Sequence, residues 1–225
     1  MQLIKARSSK TENPLHMPAL QAVCRPIFAQ LQSEMSLGSA FALGITSFSR
    51  GDGRTTLALG LAIAAVGQIG TQGRVLVIDA DISNPMLHVR CGLPQTPGLS
   101  EVMLQHIPIT QAMVEAHPGV WVLPGGTRPL NATHHLKKLE ELALFEQLGK
   151  HFDAVIVDLP PVLTPELGML PAHLVPRLVV VARAGVTKRD QLQSTVTAFP
   201  DGTVSAILLN EYRERAPGWM KRFLH

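Results

Sequence analysis

Three short stretches carry the chemistry available to this chain: Arg50–Thr56 (RGDGRTT), the pair Asp79 and Asp81, and Asp158. The first sits between a short apolar run and a longer one. Strand, Gly-rich loop, Thr-Thr and helix is the order of a phosphate-binding loop, in which backbone N–H groups and a helix N-terminus form a concave anion site. The usual string is G-x-x-x-x-G-K-S/T, with the lysine on the β/γ-phosphates and the hydroxyl on Mg²⁺. Here Phe48 stands at the first glycine, Gly53 at the second, Arg54 at the lysine and Thr55 at the hydroxyl. Taken alone, the stretch reads equally well as a plain strand–turn–helix.

The aspartates tip that balance. Each follows an apolar run directly: VLVI before Asp79, with Asp81 two residues on, and AVIV before Asp158. In a parallel sheet, ligands bind beyond the carboxyl ends of the strands. All three should therefore emerge at the rim that holds the Gly-rich loop. Magnesium needs a few carboxylate or hydroxyl oxygens and keeps its waters, and this set provides them. A single aspartate after a strand is usually a turn or cap residue; three beside one loop are better explained by a metal site.

The elements that must position these groups alternate along the chain. Apolar strands are expected at 41–47, 75–78, 120–123, 154–157, 178–182 and 204–209, and an apolar helix at 55–67. Continuous apolar strands separated by helices predict an α/β fold, a mostly parallel sheet with helices on both faces. Helical spacing of Leu20, Val23, Cys24, Ile27, Phe28, Leu31 and Met35 predicts a helix that starts at Pro26 or is kinked there, closed by Gly38. Short helices are expected at 86–90 and from 97 to 104. The clearest amphipathic helix is 132–150, with Leu136, Leu139, Leu142, Phe145 and Leu148 as its buried stripe. We divide the chain into a flexible arm (1–17), one domain (18–210) and a basic, amphipathic tail (211–225).

Composition narrows the function. The chain has 225 residues, 46% hydrophobic and 16% charged, enough for one well-filled core. A net charge of +3 and seven Phe, two Trp and one Tyr supply no clustered basic stripe for nucleic acid. Cys24 and Cys91 are too few for a disulfide framework or a zinc site. The histidines come singly except His134-His135, and solvent-facing positions are expected. No apolar run reaches the roughly 18 residues of a membrane span, and the start lacks a signal-peptide core, so a cytoplasmic protein is expected. The tail mixes Arg213, Arg215, Lys221 and Arg222 with Trp219, Met220, Phe223 and Leu224. Docking on the inner membrane face or a partner and a weakly ordered end are equal readings.

The blocks TSFSRGDGRTT (46–56), VLVIDADIS (75–83) and AVIVDLPP (154–161) resemble those of the bacterial tyrosine kinases (BY-kinases) of capsule and exopolysaccharide synthesis, relatives of the MinD/ParA ATPases. The resemblance is collinear over about residues 20–210. It implies a P-loop NTPase fold of the deviant Walker A class, with ATP or ADP and Mg²⁺ as cofactors. It places Gly51 and Gly53 on phosphates within the binding loop Arg50, Asp52, Arg54, Thr55 and Thr56. Thr55, Asp79 and Asp158 would serve Mg²⁺, Arg54 with Asp79 and Asp81 would serve catalysis, and Asn210 would contact adenine. The implied partner is a membrane-anchored polysaccharide co-polymerase or chain-length regulator.

Departures from the family pattern are also clear. Arg54 replaces a lysine, Ser83 an arginine and Leu159 a hydroxyl residue, and of the ring-assembly motif only Arg25 remains, between Ala22 and Phe28. Tyr212 is the one tyrosine in the sequence, so autophosphorylation of a tyrosine cluster is not expected. Three functions stay open: an ATP-dependent kinase or ATPase acting on a partner, a degenerate pseudokinase regulating the co-polymerase, and a MinD/ParA-like positioning ATPase. The last lacks its signature lysine, since Ser49 stands there. Arg54 is expected at the phosphates; the alternative is a side chain turned away onto Asp52 or Asp79.

Overall fold

The computed structural model describes residues 2–3, 13–33, 41–70, 72–129, 148–164, 172–173 and 175–211. Strands β1 (Gln2–Leu3), β2 (Phe41–Ser47), β3 (Val75–Asp79), β4 (Val114–His117), β5 (Val120–Leu123), β6 (Ala154–Asp158), β7 (Leu178–Arg183) and β8 (Val204–Asn210) form one sheet in the order β1-β8-β7-β2-β6-β3-β5-β4. Every neighbouring pair is parallel except β4 with β5. The expected α/β architecture is therefore present, with one antiparallel edge.

Alternation along the strands divides the core into two layers. Val75 and Val77 of β3, Leu43 and Ile45 of β2 and Ile156 of β6 face helices α1 (Pro18–Ser33) and α2 (Arg54–Ile69). Leu76, Ile78, Val155 and Val157 face the opposite way, onto α4 (Leu99–Gln105) and Phe199. Strands apolar on both faces can only be stable when both are covered, which is why these runs read as continuous. Helix α2 is apolar on most of its surface because it lies between the sheet and α1. The two helices meet at Gly60, where an added Cβ would come within 2.7 Å of Cys24 Sγ and 2.8 Å of Leu20 Cγ.

Several expectations are refined. Helix α1 runs through Pro26 instead of starting there, and Pro18 occupies its first position, where a missing N–H costs nothing. Part of the expected arm lies on the domain. Gln2 and Leu3 pair with Leu208 and Leu209 of β8. Leu15 is fully buried in the turn Pro14–His16, capped by a bond from Leu15 N–H to Asn13 Oδ1 of 3.0 Å. Strand β4, helix α5 (Ile109–Ala112) and helix α6 (Arg189–Thr197) were not foreseen. The short α3 (Leu87–Cys91) falls within one residue of its expected place. Most of the expected helix 132–150, Met35, Gly38, His134-His135 and the tail from Tyr212 on lie outside the described residues.

A second junction fixes the loops beside the sheet's functional edge. The Glu101 carboxylate accepts from Gly98 N–H at 2.8 Å and Thr127 N–H at 3.0 Å. Ser100 Oγ donates to the Gly125 carbonyl at 3.0 Å. The start of α4 and the turn Pro124-Gly125-Gly126 are thereby clasped together.

Candidate functional site

Sheet order brings the chemistry together. Strand β6 lies between β2 and β3, with Asp158 in register with Ile45 on one side and Asp79 on the other. The loop that follows β2 and the carboxylates that end β3 and β6 therefore share one rim. This is the juxtaposition expected from the three apolar runs.

The loop has the shape that its glycines permit. Gly51 and Gly53 both adopt positive φ, 86° and 101°, conformations that cost most side chains energy. Gly53 is the residue before α2, so the helix N-terminus opens directly into the loop. A cavity of about 260 Å³ lies above it, lined among others by Arg50, Gly51, Gly53, Thr55, Thr56 and Asn210. Asn84, Met86, Arg90 and Glu211 also line it; these were not singled out from sequence, because nothing local marks them. Asp52 does not face the cavity. It is 2% exposed and its carboxylate accepts from Ser49 N–H at 3.1 Å, bracing the loop from within. Burial lifts its pKa above the ordinary value, against the hydrogen bond from Ser49.

Thr55 and Asp158 meet at the heart of the site. Thr55 Oγ1 donates to Asp158 Oδ2 at 2.6 Å, within the range of short bonds to a charged acceptor. Among the described residues Asp158 Oδ1 has no hydrogen-bond partner, and neither has Asp79 Oδ1. Both carboxylates are buried, at 2% and 0% exposure. Burial pushes Asp158 up to about 6, opposed by the Arg54 charge and the Thr55 hydroxyl. Burial, and then the neighbouring Asp158, raise Asp79 well above the usual range. Its other oxygen accepts from Met86 and Leu87 N–H at 2.8 and 2.9 Å. Carboxylate oxygens left bare in so dry a setting are costly and suit a cation.

The residues present fit magnesium on that observation. Among the described residues no three His, Cys, Asp or Glu side chains converge as a metal cluster. Magnesium on a nucleotide does not require one: one or two protein oxygens suffice, the remainder being phosphate and water. The positive-φ loop and its cavity fit a phosphate chain.

Arg54 pairs with neither Asp52 nor Asp79. Its guanidinium donates to the Leu159 carbonyl and pairs with Asp81 Oδ2 at 3.4 Å. The side chain still lines the cavity, although only 8% of the residue is exposed. Asp81 is heavily engaged: Ser83 Oγ donates to Oδ1 at 2.9 Å, and Arg50, 48% exposed, reaches Oδ2 at 3.6 Å. Asn210 lies at the cavity wall with its amide bonded to the loop, Nδ2 to the Asp52 carbonyl at 2.9 Å. Among the described residues no helix is long and apolar enough to cross a membrane.

Comparison with known proteins agrees with this geometry. The family model for the cellulose biosynthesis protein BcsQ matches residues 41–217. The tyrosine-protein kinase YwqD of Bacillus subtilis is 33% identical over 151 residues, 65% of this chain and 61% of its own. The tyrosine-protein kinase ptk of Acinetobacter johnsonii is 30% identical over 149 residues, 65% of this chain and 20% of its own. The chain thus matches less than two thirds of the length of either relative. Among solved structures, the kinase domain of the Escherichia coli tyrosine kinase ETK superposes with a TM-score of 0.81 at 24% identity, covering 94% of this chain and 85% of that one. MinD of Pyrococcus horikoshii, complexed with Mg-ADP, gives 0.64 at 19% identity over 82% and 76%. At such identities these superpositions bear on the fold. The chain has the fold of these P-loop proteins and belongs to the family of the cellulose biosynthesis protein BcsQ.

Proposed function

We propose that this chain binds ATP and ADP with Mg²⁺ at Arg50–Thr56 and serves bacterial cellulose or exopolysaccharide production as a nucleotide-responsive component whose phosphoryl transfer is slow. The observation that carries the reading is the Thr55–Asp158 pair of 2.6 Å at the foot of the glycine loop, beside the bare oxygens of Asp79 and Asp158. Thr55, Asp79 and Asp158 would hold the metal, which when bound supplies charge neutralisation at the β- and γ-phosphate oxygens. Backbone N–H groups at Gly51–Thr55 orient the phosphates. Asp79, Asp81 and Asp158 are buried at 0%, 4% and 2% exposure, which strengthens the charge contacts made there.

Slow transfer follows from Arg54 and Asp81. Phosphoryl transfer depends on positioned charge, and here the positive group is held by Asp81 and the Leu159 carbonyl. A planar guanidinium is also a poor substitute for a compact ammonium. Asp81, the acceptor-side carboxylate implied by the BY-kinase resemblance, is shared between two arginines and Ser83. That sharing favours a second reading, a non-catalytic regulator. In either case the partner is a membrane-anchored polysaccharide co-polymerase or chain-length regulator.

ATP turnover separates the two readings. The wild type should hydrolyse ATP well below the roughly 1–100 s⁻¹ of protein kinases, yet faster than an Asp158→Asn control. Equal rates would remove phosphoryl transfer and leave the regulator.

A further inference from the structure

Asn210 ends β8, the strand two places from β2 in the sheet, yet its side chain is bound to the phosphate loop. Nδ2 donates to the Asp52 carbonyl at 2.9 Å, and Oδ1 accepts from Glu211 N–H at 2.9 Å. A carbonyl on one side and an N–H on the other fix which end of the amide is nitrogen. The contact is close. A Cβ placed on Gly53 would meet Asn210 Nδ2 at 2.2 Å, so Gly53 supplies both the positive φ and the space that the amide fills. Glu211, the next residue on the cavity wall, is likewise engaged, its carboxylate accepting from Arg183 Nε of β7 at 2.8 Å.

From this geometry we infer that Asn210 is a positioning residue that ties β8 to the phosphate loop, and that its effect on ligand is exerted through the phosphates and not through the base. Arg50 and Arg54 on Asp81 and Thr55 on Asp158 tie the loop to the β3–β6 side of the site, and two further bonds are local, Ser47 Oγ to the Ser49 carbonyl at 2.7 Å and Ser49 N–H to Asp52 at 3.1 Å. Both are made within two or three residues, so neither anchors the loop to the far side of the site. Asn210 does so across 158 positions of sequence. Its bond holds the Asp52 carbonyl still and with it the Asp52–Gly53 peptide, within the run Gly51–Thr55 whose N–H groups are assigned to the phosphates. The inference rests on the nucleotide reading for its ligand, but the tether itself is a property of the chain alone.

Inorganic pyrophosphate, which has no base, is the probe that isolates this role. Asn210→Asp keeps the size of the side chain and the acceptor for Glu211 N–H. It removes the donor to Asp52 and sets a carboxylate oxygen against that carbonyl. Calorimetric titration should show pyrophosphate and ADP weakened by the same factor, about five- to ten-fold, the worth of one hydrogen bond. Amide hydrogen exchange should quicken at residues 49–54 and stay unchanged in β3 and β6. Loss of ADP affinity with pyrophosphate affinity intact would mark Asn210 as a base reader and overturn the inference, as would no change in either. If the wild type binds neither ligand, the nucleotide reading fails and exchange alone decides: faster loop exchange in Asn210→Asp upholds the tether, unchanged exchange refutes it.

Discussion

Asp158→Asn is expected to raise the stability of the ligand-free chain at neutral pH while removing its magnesium-dependent affinity for nucleotide. Asp158 is 2% exposed, and burial raises its pKa from 3.8 to about 6. The folded chain therefore holds this proton to higher pH than the unfolded chain does. Wild-type stability should fall as pH rises from about 4 through about 6, and the penalty then stays constant at higher pH. Asparagine carries no charge to desolvate and can still accept from Thr55. A shift of about two pKa units corresponds to about 3 kcal/mol; the opposing Arg54 charge is already contained in it, and an amide in place of the carboxylate recovers roughly 1–3 kcal/mol. For a chain of this size that is a rise of roughly 2–10 °C in Tm. Thermal melts of both proteins between about pH 4 and pH 8 check it. A variant less stable than wild type at neutral pH would mean that Asp158 is a structural anchor and not a carboxylate kept ionisable for a ligand.

Arg54 gives the second large effect. Its pair with Asp81, at 3.4 Å, is a long contact, and the side chain already lines the cavity. Movement onto the β/γ-phosphates requires it to leave Asp81, which Arg50 and Ser83 still satisfy. A charge-assisted phosphate contact contributes about 1.5–3 kcal/mol, so Arg54→Ala should weaken ADP by roughly ten- to hundred-fold. Arg54→Lys should raise turnover, since the compact ammonium reaches phosphate oxygens without the width of the guanidinium fork. Equal ADP affinities for wild type and Arg54→Ala would show that Arg54 stays on Asp81 and Leu159 with ligand present, and that its role is to brace the site.

The parts legible in the sequence were those encoded by contiguous runs. Strands β2, β3, β5, β6, β7 and β8 are apolar blocks, and Asp79 and Asp158 close two of them, so their shared rim followed from the parallel sheet alone. Helix α2 was legible because it is apolar on nearly every face. Strand β4 was not: Val-Glu-Ala-His is short and half-exposed at the sheet edge, so packing imposes no alternation on it. Helix α6 buries only Thr195 and has no apolar stripe to read. The side-chain directions at the site were hidden for a different reason. Arg54 is drawn to a carbonyl 105 positions away and Asn210 to one 158 positions away. Residue type and spacing give reach, and only the folded arrangement gives the partner.

Titration of the wild-type chain with ADP, with and without Mg²⁺ and beside Thr55→Ala, tests the central claim most directly. Thr55 joins the glycine loop to Asp158 through a single hydroxyl. The chain should bind MgADP with a micromolar Kd, bind ADP at least ten-fold more weakly in chelator, and lose that difference in Thr55→Ala. Absence of binding by the folded wild type, or a magnesium dependence that survives Thr55→Ala, would contradict the assignment of this rim as a nucleotide and metal site.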